Sequence, residues 1–418
     1  MTIRIRAGLT LIVAVAIMGW AGCDHYNCSS GPNLGSGCTA GTGGLSTGGT
    51  GTSGGNSIAV LAYYVSNNEV GSVELNTTPA LIDTPNFVLQ TLPTGYTNSA
   101  IVTAQEQYLY MPYASTSSSA SIYAWSIDGT TGALTALAGS PFPVPDAAGL
   151  ASSDQPTTPL ITNSAGTCLY MADALNSRID VFQIDSSSGI PTAVPGSPFS
   201  TTIPPWNLAM DGLGRYLYAT QGNYAGEGVK LEVFTINSAT GALSNGTTMP
   251  SLNMWQLQGE PTGTFMIGVD GLTGLTGDNK PADPNIYVFS INSGGVLAQV
   301  GKIPTTSGNG PTAVVISPNG QFVYDFSLSI STGLDGPLDG YSLASGTLTP
   351  LAGSPFSALS LPDGGHFDQS GSYLFFHAAS AIGAYDIDPS TGIPTEPTSA
   401  VGIGQGAVIY PWAVTDPK

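Results

Sequence analysis

Charge is scarce in this chain. Charged residues make up only 8% of its 418 residues, with 8 Lys and Arg against 27 Asp and Glu. So few cations cannot build a basic face, which excludes nucleic acid and anionic lipid headgroups as partners. The formal charge of -19 leaves cationic partners, neutral polar ones such as sugars, or plain solubility of a secreted protein. Histidine is nearly absent: His25, His366 and His377 are all there is, so neither a metal site nor a cofactor is expected. The longest apolar run, LTLIVAVAIMGW near the N-terminus, is too short for a usual membrane-spanning helix.

That run has another use. Arg4 and Arg6 precede it, and Ala21-Gly22-Cys23 follows. A positive start, a short apolar stretch and small residues make an export signal over residues 1–22. WAGC resembles the box of bacterial lipoproteins, with Trp20 where Leu is usual. The resemblance implies that Cys23 is lipidated and anchors the chain to a bacterial membrane outside the cytoplasm, in the periplasm or at the surface. An ordinary signal peptide cut nearby is the alternative. Residues 23–57 are dominated by Gly, Ser and Thr and read as a flexible tether, with a reach of roughly 30 Å. Of the four cysteines, Cys28 and Cys38 lie in this tail, where an oxidising compartment allows them to pair. Cys168 sits in an apolar run and reads as a buried thiol. Gly51-Thr52-Ser53-Gly54-Gly55 matches the G-x-S-x-G hydrolase pattern, but the strand and helix that motif needs are missing around it.

Glycine and proline are abundant, at 55 and 31 residues, while 41% of the chain is hydrophobic. Together with many short Val/Ile/Tyr runs, this indicates a turn-rich all-β protein. One phrase recurs: GALTALAGSPF from Gly132, GIPTAVPGSPF from Gly189 and GTLTPLAGSPF from Gly346. Weaker copies start at Gly241, Gly295 and Gly392, so the spacing runs from 46 to 57 residues. A β-rich period of this size predicts propeller blades. Each phrase follows a run ending in Ile or Leu and usually then Asp or Asn, as in FQIDSSSG, where Asx side chains bond their own backbone and Gly takes positive φ. Upstream lie second strands such as CLYMAD and first strands such as TAVVISP. Four strands per unit is the anatomy of a blade. The chain beyond the tether begins on a second strand, SIAVLAYYV, and ends on an unpartnered first strand, GAVIYPWAV. The expected fold is therefore a seven-bladed β-propeller over residues 58–418, its ring closed by the C-terminal strand completing the N-terminal blade. The phrase itself is expected to be the fourth strand (134–138) and its exit, with Gly139 and Pro141 shaping the step to the next blade and Phe142 packing at the joint. Ser140 has no His or Asp beside it in the phrase and is not expected to act as a nucleophile.

Strand order places the first-to-second and third-to-fourth turns on one face. The other face receives the long, variable loops, including the stretch with Asp270, Asp278, Asn279 and Asp283. Clustered carboxylates suit calcium, but EF-hand spacing is missing, and a solvated loop is the plainer reading. Function concentrates on such loops. Trp206 with Asn207 and Trp255 with Gln256 open the first strands of blades 4 and 5, Asp363 and His366 open that of blade 7, and Gln405 is nearby. Aromatic platforms beside amides suit a small polar ligand, a sugar or lactone; the competing reading makes both tryptophans wedges between blades.

The units YLYMADALNSRIDVFQID, GPTAVVISPNGQFVYDF and GALTALAGSPF resemble the lactonase family of seven-bladed propellers, which includes 6-phosphogluconolactonase. The resemblance spans Ile58 to Val414. It implies that Asp173 and Arg178 sit where family members carry Asp and Arg. Family enzymes often show Gly-Pro-Arg-His before an inner strand, whereas here Gly310-Pro311 lead into Thr312-Ala313. Three functions stay open: a non-catalytic binding or scaffold module for a polar ligand or protein partner, a lactonase for a neutral lactone, and a structural envelope or adhesion module. In the second, His366 and Asp363 supply acid–base chemistry and Arg178 stabilises the oxyanion. A monomer is expected in each case.

Overall fold

The short runs of alternating apolar residues become strands because each is bounded by a turn that its own side chains build. A computed structural model of the chain describes residues 58–66, 69–76, 81–83, 90–92, 100–103, 106–116, 119–145, 160–221, 230–249, 254–270, 283–328, 335–356, 362–378, 381–395, 401–402 and 412–415. All belong to the unit Gly54–Lys418. The signal segment, the tether, Cys23, Cys28, Cys38, Asp278, Asn279 and Gln405 lie outside them. Among the described residues there are strands and turns and no helix, and the architecture is an all-β propeller.

The strands form seven antiparallel sheets, numbered 1 to 7 along the chain. Sheets 2 to 7 run innermost, second, third and outer strand in chain order. They occupy residues 101–144, 160–200, 207–249, 256–304, 310–350 and 362–402. Sheet 1 holds residues 58–91 plus Trp412–Thr415, which pairs with Ile58–Ser66 through Leu61 opposite Thr415. The innermost strands pack in succession from sheet 2 to sheet 7, and Trp412–Thr415 packs against both end members, Ile101–Val102 and Pro362–Phe367.

Apolar cores fill the seams between consecutive sheets. Tyr110, Ile122, Met171 and Phe182 fill one between sheets 2 and 3; Tyr324, Phe326, Phe376 and Tyr385 fill one between sheets 6 and 7. The cause is simple alternation: successive side chains of a strand face opposite neighbours. Cys168 is a buried free thiol in the seam between sheets 3 and 4, and burial pushes its pKa up.

The tight turns repeat one chemistry. At the first-to-second turn, an acceptor side chain takes the amide that opens the second strand. Asn163 takes Cys168 N at 3.0 Å, Asp211 takes Tyr216 N at 2.7 Å, Ser317 takes Phe322 N at 3.0 Å and Asp368 takes Tyr373 N at 2.7 Å. At the third-to-fourth turn, Asp128, Asp185, Asn237 and Asp388 each accept the amides two and three residues on. The Ser187 hydroxyl on Asp185, the Ser390 hydroxyl on Asp388 and the Thr131 amide on Asp128, with the other turn donors, hold these exposed carboxylates below the usual range. Five of the 27 acids are thus turn scaffold.

The repeated phrase has three structural duties. Its first glycine takes positive φ, 67° at Gly132 and 71° at Gly189, and in five of the six copies its carbonyl receives a buried tyrosine from the preceding sheet. Tyr63 donates to Gly132 O at 2.5 Å, Tyr110 to Gly189 O at 2.5 Å, Tyr170 to Gly241 O at 3.1 Å, Tyr218 to Gly295 O at 2.8 Å and Tyr324 to Gly392 O at 2.5 Å. Burial raises the pKa of these phenols, so they remain donors. Next, the serine caps the third strand: Ser140 Oγ accepts Ala124 N and Ser197 Oγ accepts Val181 N, both at 2.9 Å, and Ser354 Oγ accepts Gly340 N at 3.0 Å. The Ser-Pro bonds that follow are cis. Last, the phenylalanine returns to the same sheet, Phe142 opposite Ile122 and Phe199 opposite Ile179. The expected direct step to the next blade is therefore corrected. After the outer strand Leu134–Ala136 the chain turns back onto its own third strand, because that strand has an amide the serine must satisfy. Phe142 does pack at the seam.

Candidate functional site at the loop-bearing face

An innermost strand has one unpaired edge, and its backbone groups need partners. In sheets 4 and 5 amide side chains supply some of them. Asn207 Nδ2 donates to Trp255 O at 2.9 Å, and Thr220 Oγ1 reaches the same carbonyl at 3.1 Å. Gln256 Oε1 accepts Val314 N at 2.6 Å, and Gln258 Oε1 accepts Ile316 N at 3.1 Å. Asn207 is buried. These atoms join sheet 4 to sheet 5 and sheet 5 to sheet 6. The expectation that Asn207 and Gln256 face a ligand therefore meets a competing duty.

The tryptophans are different. Trp206 and Trp255 are half-buried and neither belongs to the core clusters of the neighbouring seams. Each is held through its backbone, Trp206 N to Thr220 O at 2.7 Å and Trp255 N to Val269 O at 2.8 Å. Both stand at the strand ends that face the long loops. The Asn207 bond ties the two strand openings to each other, so the backbone that carries both tryptophans is fixed.

Asp173 and Arg178 close the second-to-third turn of sheet 3 at this same face, opposite each other in register. Arg178 Nε lies 2.9 Å from Asp173 Oδ2 and 3.4 Å from Asp180 Oδ2, and Nη2 donates to Pro145 O at 2.8 Å. Asp173 also accepts Asn176 N and Nδ2. Arg178 is thus committed to two carboxylates and a carbonyl, which limits what it offers an oxyanion. Asp180 escaped sequence reasoning. It is buried, and burial pushes its carboxyl up to about 6, against the pull of the Arg178 guanidinium, with the Asp173 charge adding to the rise.

The signal for Asp180 was in the repeat. Third strands read I-D-V-F, L-E-V-F and L-D-G-Y at Ile179, Leu231 and Leu338, each with an acid between apolar residues. Glu232 Oε2 accepts Thr202 N at 2.8 Å and Thr202 Oγ1 at 3.0 Å. Asp339 accepts Ser307 N at 2.9 Å, Ser307 Oγ at 2.6 Å and the Thr306 hydroxyl. Both acids clamp the segment entering from the preceding sheet. In sheet 3 that segment is Phe142-Pro143-Val144-Pro145, whose prolines have no N–H, and Arg178 makes the tie instead.

His366 lies on the innermost strand of sheet 7, exposed and opposite Phe375. Asp363 shares that strand at the irregularity between Pro362 and Gly364. His366 and Asp363 thus stand on the innermost strand of sheet 7, and the tryptophan pair at the openings of those of sheets 4 and 5. His377 is opposite Gly364 in the same sheet. On the acidic loop, Asp283 is bonded by Asn285 N at 3.1 Å, by Asn285 Nδ2 and by the Tyr287 hydroxyl. Among the described residues no three His, Cys, Asp or Glu side chains are grouped to hold a metal ion.

No protein-family model and no curated protein matches the chain. Solved structures do match in shape. A putative 6-phosphogluconolactonase from Bacteroides fragilis has a TM-score of 0.62 at 17% identity, covering 86% of this chain and 98% of that one. A second, from Bacteroides uniformis, has a TM-score of 0.61 at 16% identity, covering 85% and 99%. The periplasmic gluconolactonase of Pseudomonas aeruginosa has a TM-score of 0.61 at 13% identity, covering 86% and 100%. At such identities the likeness establishes a lactonase-like β-propeller fold.

Proposed function

We propose that the chain is a lipid-anchored extracytoplasmic propeller that binds a small neutral polar ligand, such as a sugar, at its loop-bearing face without transforming it. The observation that carries this reading is the pair of half-buried tryptophans on strand openings tied by the Asn207–Trp255 bond. Indole faces on a fixed base suit the apolar face of a sugar and cost little entropy on binding. The engagement of Arg178 favours binding over lactone hydrolysis. The export reading is supported by Arg4, Arg6 and Cys23 and by the periplasmic description of one structural neighbour. We read the seven sheets as seven blades in one closed ring. Support comes from Trp412–Thr415, which pairs with sheet 1 and packs between the innermost strands of sheets 7 and 2.

The second reading, lactone hydrolysis, is favoured by exposed His366 on an innermost strand and by the gluconolactonase descriptions of the neighbours. One experiment separates the two. Pure protein is titrated calorimetrically with a panel of neutral sugars and aldonolactones, and lactone turnover is followed in parallel. Binding without turnover, weakened at least about tenfold in Trp206→Ala or Trp255→Ala, is the expected result. Turnover abolished by His366→Ala would replace the binding reading with the enzymatic one, and neither binding nor turnover would leave the structural-module reading.

A further inference from the structure

Nearly every buried acid described so far has a duty. Asp211 and Asp368 build turns, Glu232 and Asp339 clamp incoming segments, and Asp173 and Asp180 share Arg178. Asp325 has none. It is fully buried in the second strand of sheet 6, and neither carboxyl oxygen has a hydrogen-bond partner among the described residues. Directly opposite, in register, stands Asp339. Side chains opposed in this way lie about 4.5–5.5 Å apart at Cβ, and like charges there repel.

The comparison between sheets makes the pairing unusual. The residue opposite the third-strand acid is Met171 in sheet 3 and Ala219 in sheet 4. Only sheet 6, of these three, sets a second acid there. Alternation fixes where both point: Val323 and Tyr341, two residues away on each strand, pack in the seam with sheet 5. From sheet 5 that seam receives Ile267 and Val269 of the second strand and Ile286 and Val288 of the third. The innermost strand contributes Gln256 and Gln258, already bonded to Val314 N and Ile316 N. The entering segment contributes the hydroxyls of Thr306 and Ser307, bonded to Asp339, and Thr306 N, bonded to the Tyr341 hydroxyl. The titratable groups in the seam are thus Asp325, Asp339 and Tyr341. Three donor groups support charge on Asp339, and nothing supports it on Asp325.

We propose that Asp325 is a proton-dependent latch on the seam between sheets 5 and 6: protonated, it packs as a neutral group beside charged Asp339, and on losing its proton it loosens the seam. Burial, with the Asp339 charge adding, holds its carboxyl well above the usual range, while an unfolded chain ionises it near 3.9. Above that pH the folded state binds more protons than the unfolded one, so stability falls as pH rises until the folded-state value is reached. Below about 3.9 the group contributes nothing to the slope. The seam it weakens is the one that Gln256, next to Trp255, helps to hold.

The test compares urea unfolding of the wild type, Asp325→Asn and Asp325→Met between about pH 5 and about pH 8. Met is the residue at the matching position in sheets 2 and 3, Met111 and Met171. Relative to the wild type, both variants should gain in folding equilibrium as pH rises, by up to about tenfold per unit. A gain that does not change with pH overturns the proposal. If neither variant folds, infrared spectra of the wild type settle it: a protonated-carboxyl stretch present at neutral pH and lost on raising the pH supports the latch, and the absence of that stretch at neutral pH overturns it.

Discussion

The two ends of the strands are secured by different means. At the tight-turn end, side chains mostly bond amides two to five residues away, as Asp211 does with Tyr216 N and Asp128 with Thr131 N. At the loop end, side chains reach across seams, as Glu232 does to Thr202 and Asn207 to Trp255. Local bonds make a rigid, repetitive face. Cross-seam bonds let each joint differ, and the candidate ligand residues stand at that end. Repetition and variation are thereby separated on one scaffold.

The sharpest way to break this comparison is to cut one bond set at each end. Asp211 is buried and takes Arg215 N at 2.6 Å, Tyr216 N at 2.7 Å and Arg215 Nε at 2.8 Å. Asp211→Ala leaves buried amides unmet and should lower unfolding free energy by about 3 kcal/mol in urea, leaving Trp206 emission unchanged in the folded protein. Glu232→Ala removes the clamp on Thr202, four residues before Trp206. It should cost less, about 2 kcal/mol, yet shift Trp206 emission by freeing the segment that leads to it. An equal emission shift in Asp211→Ala would end the distinction between the two faces.

The same distinction explains what was legible in the sequence. Turns leave a signature of adjacent residues, so IDSSSG and ISPNGQ mark the strands, and the recurring glycine marks the period. Cross-seam bonds at the loop end leave no record of which two residues they join. Nothing local says that Gln256 serves Val314 or that Arg178 is held by Asp180 and Pro145 O. An amide beside a tryptophan reads as a ligand group, and the bond from Asn207 Nδ2 to the next strand is a second duty that the local sequence does not announce. Asp180 is marked by the acid that recurs in third strands, whereas Asp325, a lone acid in its second strand, has meaning only once register shows that it opposes Asp339. The export signal, Cys23 and the Cys28–Cys38 pair lie outside the described residues and remain expectations from sequence.

The smallest effect tests whether the seams are independent. Tyr110 and Tyr218 each donate one hydroxyl to a glycine carbonyl of the next sheet, in seams separated by sheets 3 and 4. Replacing either by Phe keeps the ring packed and leaves one buried carbonyl without that donor, a loss of about 1 kcal/mol. If each seam is a separate joint, the double variant Tyr110→Phe/Tyr218→Phe should lose the sum within about 0.5 kcal/mol, with ligand binding at the other face unaltered. A loss well beyond the sum would mean that the sheets yield together, in which case a bond cut at the tight-turn end would be felt at the loop end too. Additivity would instead make each tyrosine–glycine bond a local rivet, which is why the phrase that carries the glycine can repeat around the chain while the loops opposite it vary.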